Sequence, residues 1–134
     1  MIQFSLPIRP KAQARHRTFG NRTYDPSVKD KKKVAFMSNK YAPKKPMEGP
    51  LMVKLLFTFQ RPKSHFRTGK FSDILKKDAP QYMVKKPDTD NLAKLMLDSY
   101  NNIFYHDDSQ ITQLQIEKEY GDEDRIDVAI MNSI

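Results

Sequence analysis

Alternation of apolar and polar side chains marks the strands of this chain. Leu51, Val53, Leu55, Phe57 and Phe59 hold alternate positions, the pattern of a strand with one buried face. Ile2, Phe4 and Leu6 alternate with Gln3 and Ser5 and predict a first strand, ended by Pro7 and Pro10. Leu114, Ile116, Lys118 and Tyr120 share one face of a later strand, and Ile126, Val128 and Ile130 one face of the last. The turn Gly121-Asp122-Glu123-Asp124 between them predicts a hairpin. Gly20-Asn21 predicts another, and Ile103-Phe104-Tyr105 a short strand or the approach to one.

Two stretches follow helical rather than strand spacing. Asp25 reads as an N-cap with Pro26 at the first helical position, for a cationic helix running to about Met37. Asp90 reads as the N-cap of a second helix through about Asn101, with Leu92, Leu95, Met96 and Tyr100 as its buried stripe. Asn101-Asn102 stops it, because Asn tolerates the left-handed conformation. Residues 42–50 form a Pro-rich linker. Residues 60–87 are long and irregular, and Phe71, Ile74 and Leu75 predict a short helix within them. A chain of 134 residues is then one α+β domain, 1–134, with room for a hydrophobic core.

Composition narrows the chemistry. There is no cysteine, which excludes thiolate metal sites and fits a reducing cytoplasm. The apolar start, Met1–Ile8, is too short for a signal peptide, and no run approaches the roughly 20 apolar residues of a membrane span. The formal net charge is +8, unevenly divided. Residues 1–70 hold 17 Lys/Arg against 3 Asp/Glu, and residues 71–134 hold 7 against 13. The first half reads as a phosphate-binding surface, and the plainer alternative is a solvated basic face. Two basic stretches carry it: Arg9, Lys11, Arg15, Arg17 and Arg22 in one, and Arg61, Lys63, Arg67 and Lys70 in the other, joined by Lys85 and Lys86.

Within this basic chain lie two acidic clusters, Lys86-Pro87-Asp88-Thr89-Asp90-Asn91-Leu92-Ala93-Lys94 and Tyr105-His106-Asp107-Asp108-Ser109-Gln110-Ile111. Mg²⁺ takes oxygen ligands and keeps several waters, so two or three of Asp88, Asp90, Asp107 and Asp108 suffice to hold it. Lys94, one turn beyond Asp90, suits a scissile phosphate or developing negative charge. Asp107 and Asp108 follow the helix and must fold back onto it. Each piece has a plainer reading: Asp90 as a cap only, Lys94 as its ion-pair partner, Asp107-Asp108 as a polar turn, Asp98 as a surface aspartate, His106 as a bystander. Together they point to metal-dependent phosphoryl transfer. No Gly-rich phosphate loop or nucleophilic serine motif competes.

KPDTDNLAK, then Asp98, then YHDDSQI and a strand ending EKEYG resemble the RusA family of Holliday junction resolvases, small bacterial endonucleases often encoded by phages and prophages. The resemblance is strong over residues 85–130. It extends more weakly to the start, through a Pro- and Arg-rich loop and Arg22-Thr23-Tyr24-Asp25-Pro26, with residues 60–84 as a variable insertion. It implies a homodimer of α+β subunits with a mixed sheet and flanking helices, acting on four-way DNA junctions in recombination and repair. It implies Mg²⁺ or Mn²⁺ held by Asp88, Asp90 and Asp108, with Asp107 as helper and Lys94 as the essential lysine. The choice between Asp107 and Asp108 stays open. Where members often have Asp-Ala-Leu-Asn-Gly, this chain has Asp98-Ser99-Tyr100-Asn101-Asn102, with Asn102 in place of the glycine. The alternatives are a nuclease for other branched or flapped DNA, and a nucleic-acid-binding protein with structural aspartates.

Overall fold

The computed structural model describes residues 1–15 and 17–133; His16 and the side chain of Arg17 lie outside the described residues. Its centre is the strand of clearest alternation, Leu51–Gln60. In chain order the elements are β1 (Ile2–Leu6), β2 (Arg17–Phe19), β3 (Arg22–Tyr24), α1 (Val28–Ser38), β4 (Leu51–Gln60), α2 (Thr89–Ser99), β5 (Ile111–Gly121) and β6 (Arg125–Asn132). The four-stranded sheet runs β1-β6-β4-β5, and β2 and β3 form a separate hairpin. β4 pairs antiparallel with β6 and parallel with β5, so the sheet is mixed.

One face of the sheet is the core. Val53, Leu55 and Phe57 of β4, Ile126, Val128 and Ile130 of β6 and Phe4 and Leu6 of β1 are buried there under Leu92, Leu95 and Met96 of α2. Two polar pairs bind the helices to this body: Ser38 Oγ and Tyr100 Oη lie 2.9 Å apart in the core, and Gln13 N–H donates to Asn91 O at 2.9 Å. Among the described residues, no helix is long and apolar enough to cross a membrane.

The hairpin at Gly20-Asn21 forms, with Gly20 at φ +63°. Asn102 takes φ +66° and ends the turn after α2, as its side chain allows. Other expectations are overturned. β5 and β6 are not hairpin partners, because β4 lies between them. The inner positions go to the strands with fully buried faces, whereas Leu114 of β5 stays exposed and β5 takes the edge. α2 is capped by Asp88, so Asp90 sits in its first turn, and the helix ends at Ser99. Before α1 the Asp25 carboxylate accepts Ser27 N–H at 2.9 Å and Ser27 becomes the N-cap; the helix starts two residues later than the proline suggests. Residues 69–71 make a single 3-10 turn instead of a helix. Tyr105 forms only isolated bridges, to Met47 and Asn101, and no strand.

Candidate active site

α2 carries most of the candidate groups. Asp88 has extended backbone dihedrals, and its carboxylate accepts no capping hydrogen bond. A typical capping aspartate spends its oxygen on the first-turn N–H groups. Here Asp88 is exposed and that oxygen remains available. Asp90 is exposed too, with Oδ1 2.9 Å from Asn91 N. Lys94 is exposed one turn on, along the same stripe of the helix as Asp90 and Asp98. An open cleft beside the helix start is lined by Arg15, Lys86, Pro87, Asp88 and Asn91. Arg15 is brought there by its neighbours: Ala14 N–H donates to Ser27 Oγ at 2.8 Å and Gln13 Nε2 to Asp25 Oδ1 at 2.9 Å.

The second acidic cluster folds back onto α2, and the side chain it meets is Asp98. Asp107 is occupied as the cap of the 3-10 turn Asp108–Gln110, accepting Ser109 N–H at 3.0 Å. Hydrogen bonds from Ser109 hold its pKa below the ordinary carboxylate value. Gln110 completes the cap: Oε1 accepts Asp107 N–H at 3.1 Å and also His106 N–H at 2.8 Å, and Nε2 donates to Met47 O at 2.9 Å. Asp108 is half-buried. Burial first, then the charges of Asp107 and Asp98, push its pKa up. His106 faces Glu48 at 3.7 Å.

Behind Asp98 stands an ion network. Lys31 Nζ lies 2.6 Å from Asp25 Oδ2 and 3.4 Å from Asp98 Oδ2, its side chain 20% exposed. Burial alone would lower the Lys31 pKa, but the two carboxylates outweigh it and the net shift is upward. Asp25, hydrogen-bonded by Lys31 and by Ser27 N–H, is held down to about 2.

Oxygen donors of this kind suit a hard cation, and the crowding of Asp98, Asp107 and Asp108 is what such a charge would relieve. Among the described residues, however, no three His, Asp or Glu side chains gather closely enough to hold an ion. Distance along α2 is one reason: eight residues at about 1.5 Å each separate Asp90 from Asp98 by about 12 Å along the axis. Asp88 and Asp90 therefore sit at one end of the helix and Asp98 with Asp108 at the other.

The basic side chains divide into engaged and open. Arg9 pairs with Asp124 at 3.2 Å, and Lys11 with Asp30 at 3.4 Å. Arg61 donates to Pro80 O at 2.7 Å and so closes the base of the long arm over residues 61–87. Arg67 and Lys70 lie over the Phe71 ring, at 4.4 and 5.3 Å from its centre. Arg22, Lys63, Lys85 and Lys86 are exposed, and Arg17 belongs to β2. Sequence reasoning did not find Lys31, Gln110 or Lys118. The first two act through contacts distant in sequence. Lys118 did leave a signal, a cation on the apolar face of β5.

A family model described as Endodeoxyribonuclease RusA matches residues 6–131. Among curated proteins, the Uncharacterized protein YqaN of Bacillus subtilis (strain 168) is 30% identical over 122 residues, covering 91% of this chain and 85% of that protein.

Proposed function

The chain belongs to the RusA endodeoxyribonuclease family, and from that premise we propose that it resolves four-way DNA junctions by Mg²⁺-dependent, paired and symmetric nicks. The observation that carries the reading to particular residues is the start of α2. There an exposed carboxylate unclaimed by the helix cap lies in a cleft whose other charged groups, Arg15 and Lys86, are cations. Phosphate is drawn by the cations while the carboxylate keeps its charge for a hard ion.

Asp88 and Asp90 are the residues that would hold Mg²⁺, or Mn²⁺ in its place, with water filling the remaining positions. Asp108, half-buried against Asp98 at the far end of α2, stands apart from that pair, and the Asp107 carboxylate already serves as a cap. Bound at Asp88 and Asp90, the ion would supply polarisation of the phosphate and a water of lowered pKa. Lys94 stabilises negative charge that develops on the phosphoryl oxygens. Arg15, Arg17, Arg22, Lys63, Lys85 and Lys86 hold the DNA arms through their phosphates, and the products are 5′-phosphate and 3′-hydroxyl ends. A junction needs two cuts and each chain supplies one set of groups. A two-fold homodimer presents two equivalent sites to a two-fold substrate.

The test is cleavage of labelled four-way, flap and linear DNA with and without Mg²⁺, together with sedimentation and a supercoiled cruciform. Paired, ligatable nicks at symmetric positions from a dimer are expected. Faster cutting of flaps, or single nicks from a monomer, would move the reading to a nuclease for other branched DNA. Metal-independent binding without cleavage would leave the aspartates structural.

A further inference from the structure

β5 forms an edge of the sheet, and the chain that leads into α2 runs along it. Tyr120 N–H donates to Gln81 O at 3.0 Å, and Tyr82 bridges Glu119. Further along the same strand, Lys118 Nζ donates to Lys85 O at 2.6 Å and to Pro87 O at 2.8 Å. These carbonyls lie immediately before Asp88. On its other side, Asp88 is fixed by Leu92 N–H, which donates to Asp88 O at 3.1 Å. Lys118, half-buried, shares its face of β5 with Leu114, Ile116 and Tyr120. It enters none of the ion pairs among the described residues. Its two acceptors are the main-chain carbonyls of the segment preceding the candidate ligand.

We propose that Lys118 is a positioning residue: its ammonium clamps the Lys85–Pro87 backbone against β5 and so fixes where Asp88 presents its carboxylate. The proposal rests on the reading of Asp88 as a cation ligand. A charge-assisted donor to two carbonyls fixes the segment more firmly than neutral hydrogen bonds would. Partners one shell removed from a metal commonly change its affinity, or the activity, by about 10- to 100-fold when lost.

The experiment compares Lys118→Met, which keeps the stem and loses the donors, with Lys118→Arg, which keeps donors. Amide hydrogen exchange over residues 84–90, Mn²⁺ binding by calorimetry, junction affinity without metal, and the Mg²⁺ concentration for half-maximal cleavage are each measured. Lys118→Met is expected to speed exchange over 84–90 with β6 unchanged. It should weaken Mn²⁺ binding and raise the Mg²⁺ requirement by about 10-fold or more, and leave metal-free junction affinity within about two-fold, while Lys118→Arg restores most of each property. If Lys118→Met no longer melts cooperatively, Lys118→Gln carries the same measurements.

Unchanged exchange over 84–90 overturns the clamp. So does a loss confined to junction affinity with a salt slope shallower by about 0.9, which would make Lys118 a phosphate contact. Failure of the underlying reading looks different: the unaltered protein would bind no Mn²⁺ and cut nothing, while faster exchange in Lys118→Met would still show the clamp.

Discussion

At the start of α2, Asp88 and Asp90 are exposed and no cation of the protein pairs with them among the described residues; Asp88 even forgoes the capping bond open to it. At the end of the same helix, Asp98 is tied to Lys31, which is tied in turn to Asp25, and Asp108 is pressed against Asp98. The first pair has no ion-pair partner among the described residues, which is what the proposed cation site requires. The second group spends much of its charge in holding α1, the β2–β3 hairpin and the turn after α2 together. One helix thus carries aspartates of the same chemistry in two surroundings, one paired with a lysine and one unpaired among the described residues.

The sharpest way to break this contrast is to neutralise one carboxylate at each end. Asp90→Asn should reduce Mg²⁺-dependent cleavage to background and leave junction binding intact or tighter, since a charge near phosphate is removed while shape is kept. Asp98→Asn should retain measurable turnover. Comparable residual cleavage in both would merge the two ends into one class. Between them, Lys94→Ala should cost turnover about 100- to 1,000-fold, the scale of a lost transition-state charge contact, with little change in junction affinity. Equal, small losses in both would make Lys94 an ordinary phosphate contact.

Effects at the far end should appear in stability. Lys31→Met leaves Asp25 and Asp98 without their shared cation. Between the values typical of exposed and buried pairs, a loss of about 1–3 kcal/mol is expected in denaturant unfolding. No loss would mean that the network is incidental. The smallest effect is a pH dependence. Asp25 has an ordinary value of 3.8 and is held at about 2 when folded. Its contribution is therefore complete above the unfolded value and disappears as pH falls through the folded one, because the unfolded chain binds the extra proton first. Stability should decline between about pH 4 and pH 2, and Lys31→Met should flatten that part of the profile. An unchanged slope would detach Asp25 from Lys31.

The strands of the core were legible because period-two alternation survives in β1, β4 and β6, each of which buries one face. Their pairing was not. A short turn between β5 and β6 suggests a hairpin, and only competition for the centre of the sheet places β4 between them. The candidate site was legible as residue types at meaningful spacings: Asp88, Asp90 and Lys94 lie on one local element, where sequence spacing becomes geometry directly. The contact of Asp108 with Asp98 joins segments whose relative placement depends on the turn at Asn102 and on the buried Phe104 and Tyr105. Local pattern cannot supply that. Asp90 and Asp88 exchanged the capping position because both suit it, and the helix took the earlier one.

Because β4 and β5 are parallel neighbours, everything from Asp88 to Asp108 lies on the single crossover, residues 61–110, that carries the chain from the end of one to the start of the other. The ends of that crossover are anchored by the sheet, whereas the arm over 61–87 makes up its first half. Chain closure depends only logarithmically on length: doubling a flexible loop costs about 0.6 kcal/mol. Descendants of this chain can therefore lengthen, trim or rewrite the part of the arm before Pro80 at little thermodynamic cost, while Gln81, Tyr82, Lys85 and Pro87 keep the start of α2 in its place on β5. The arm can change in this way without Asp88 and Asp90 having to move.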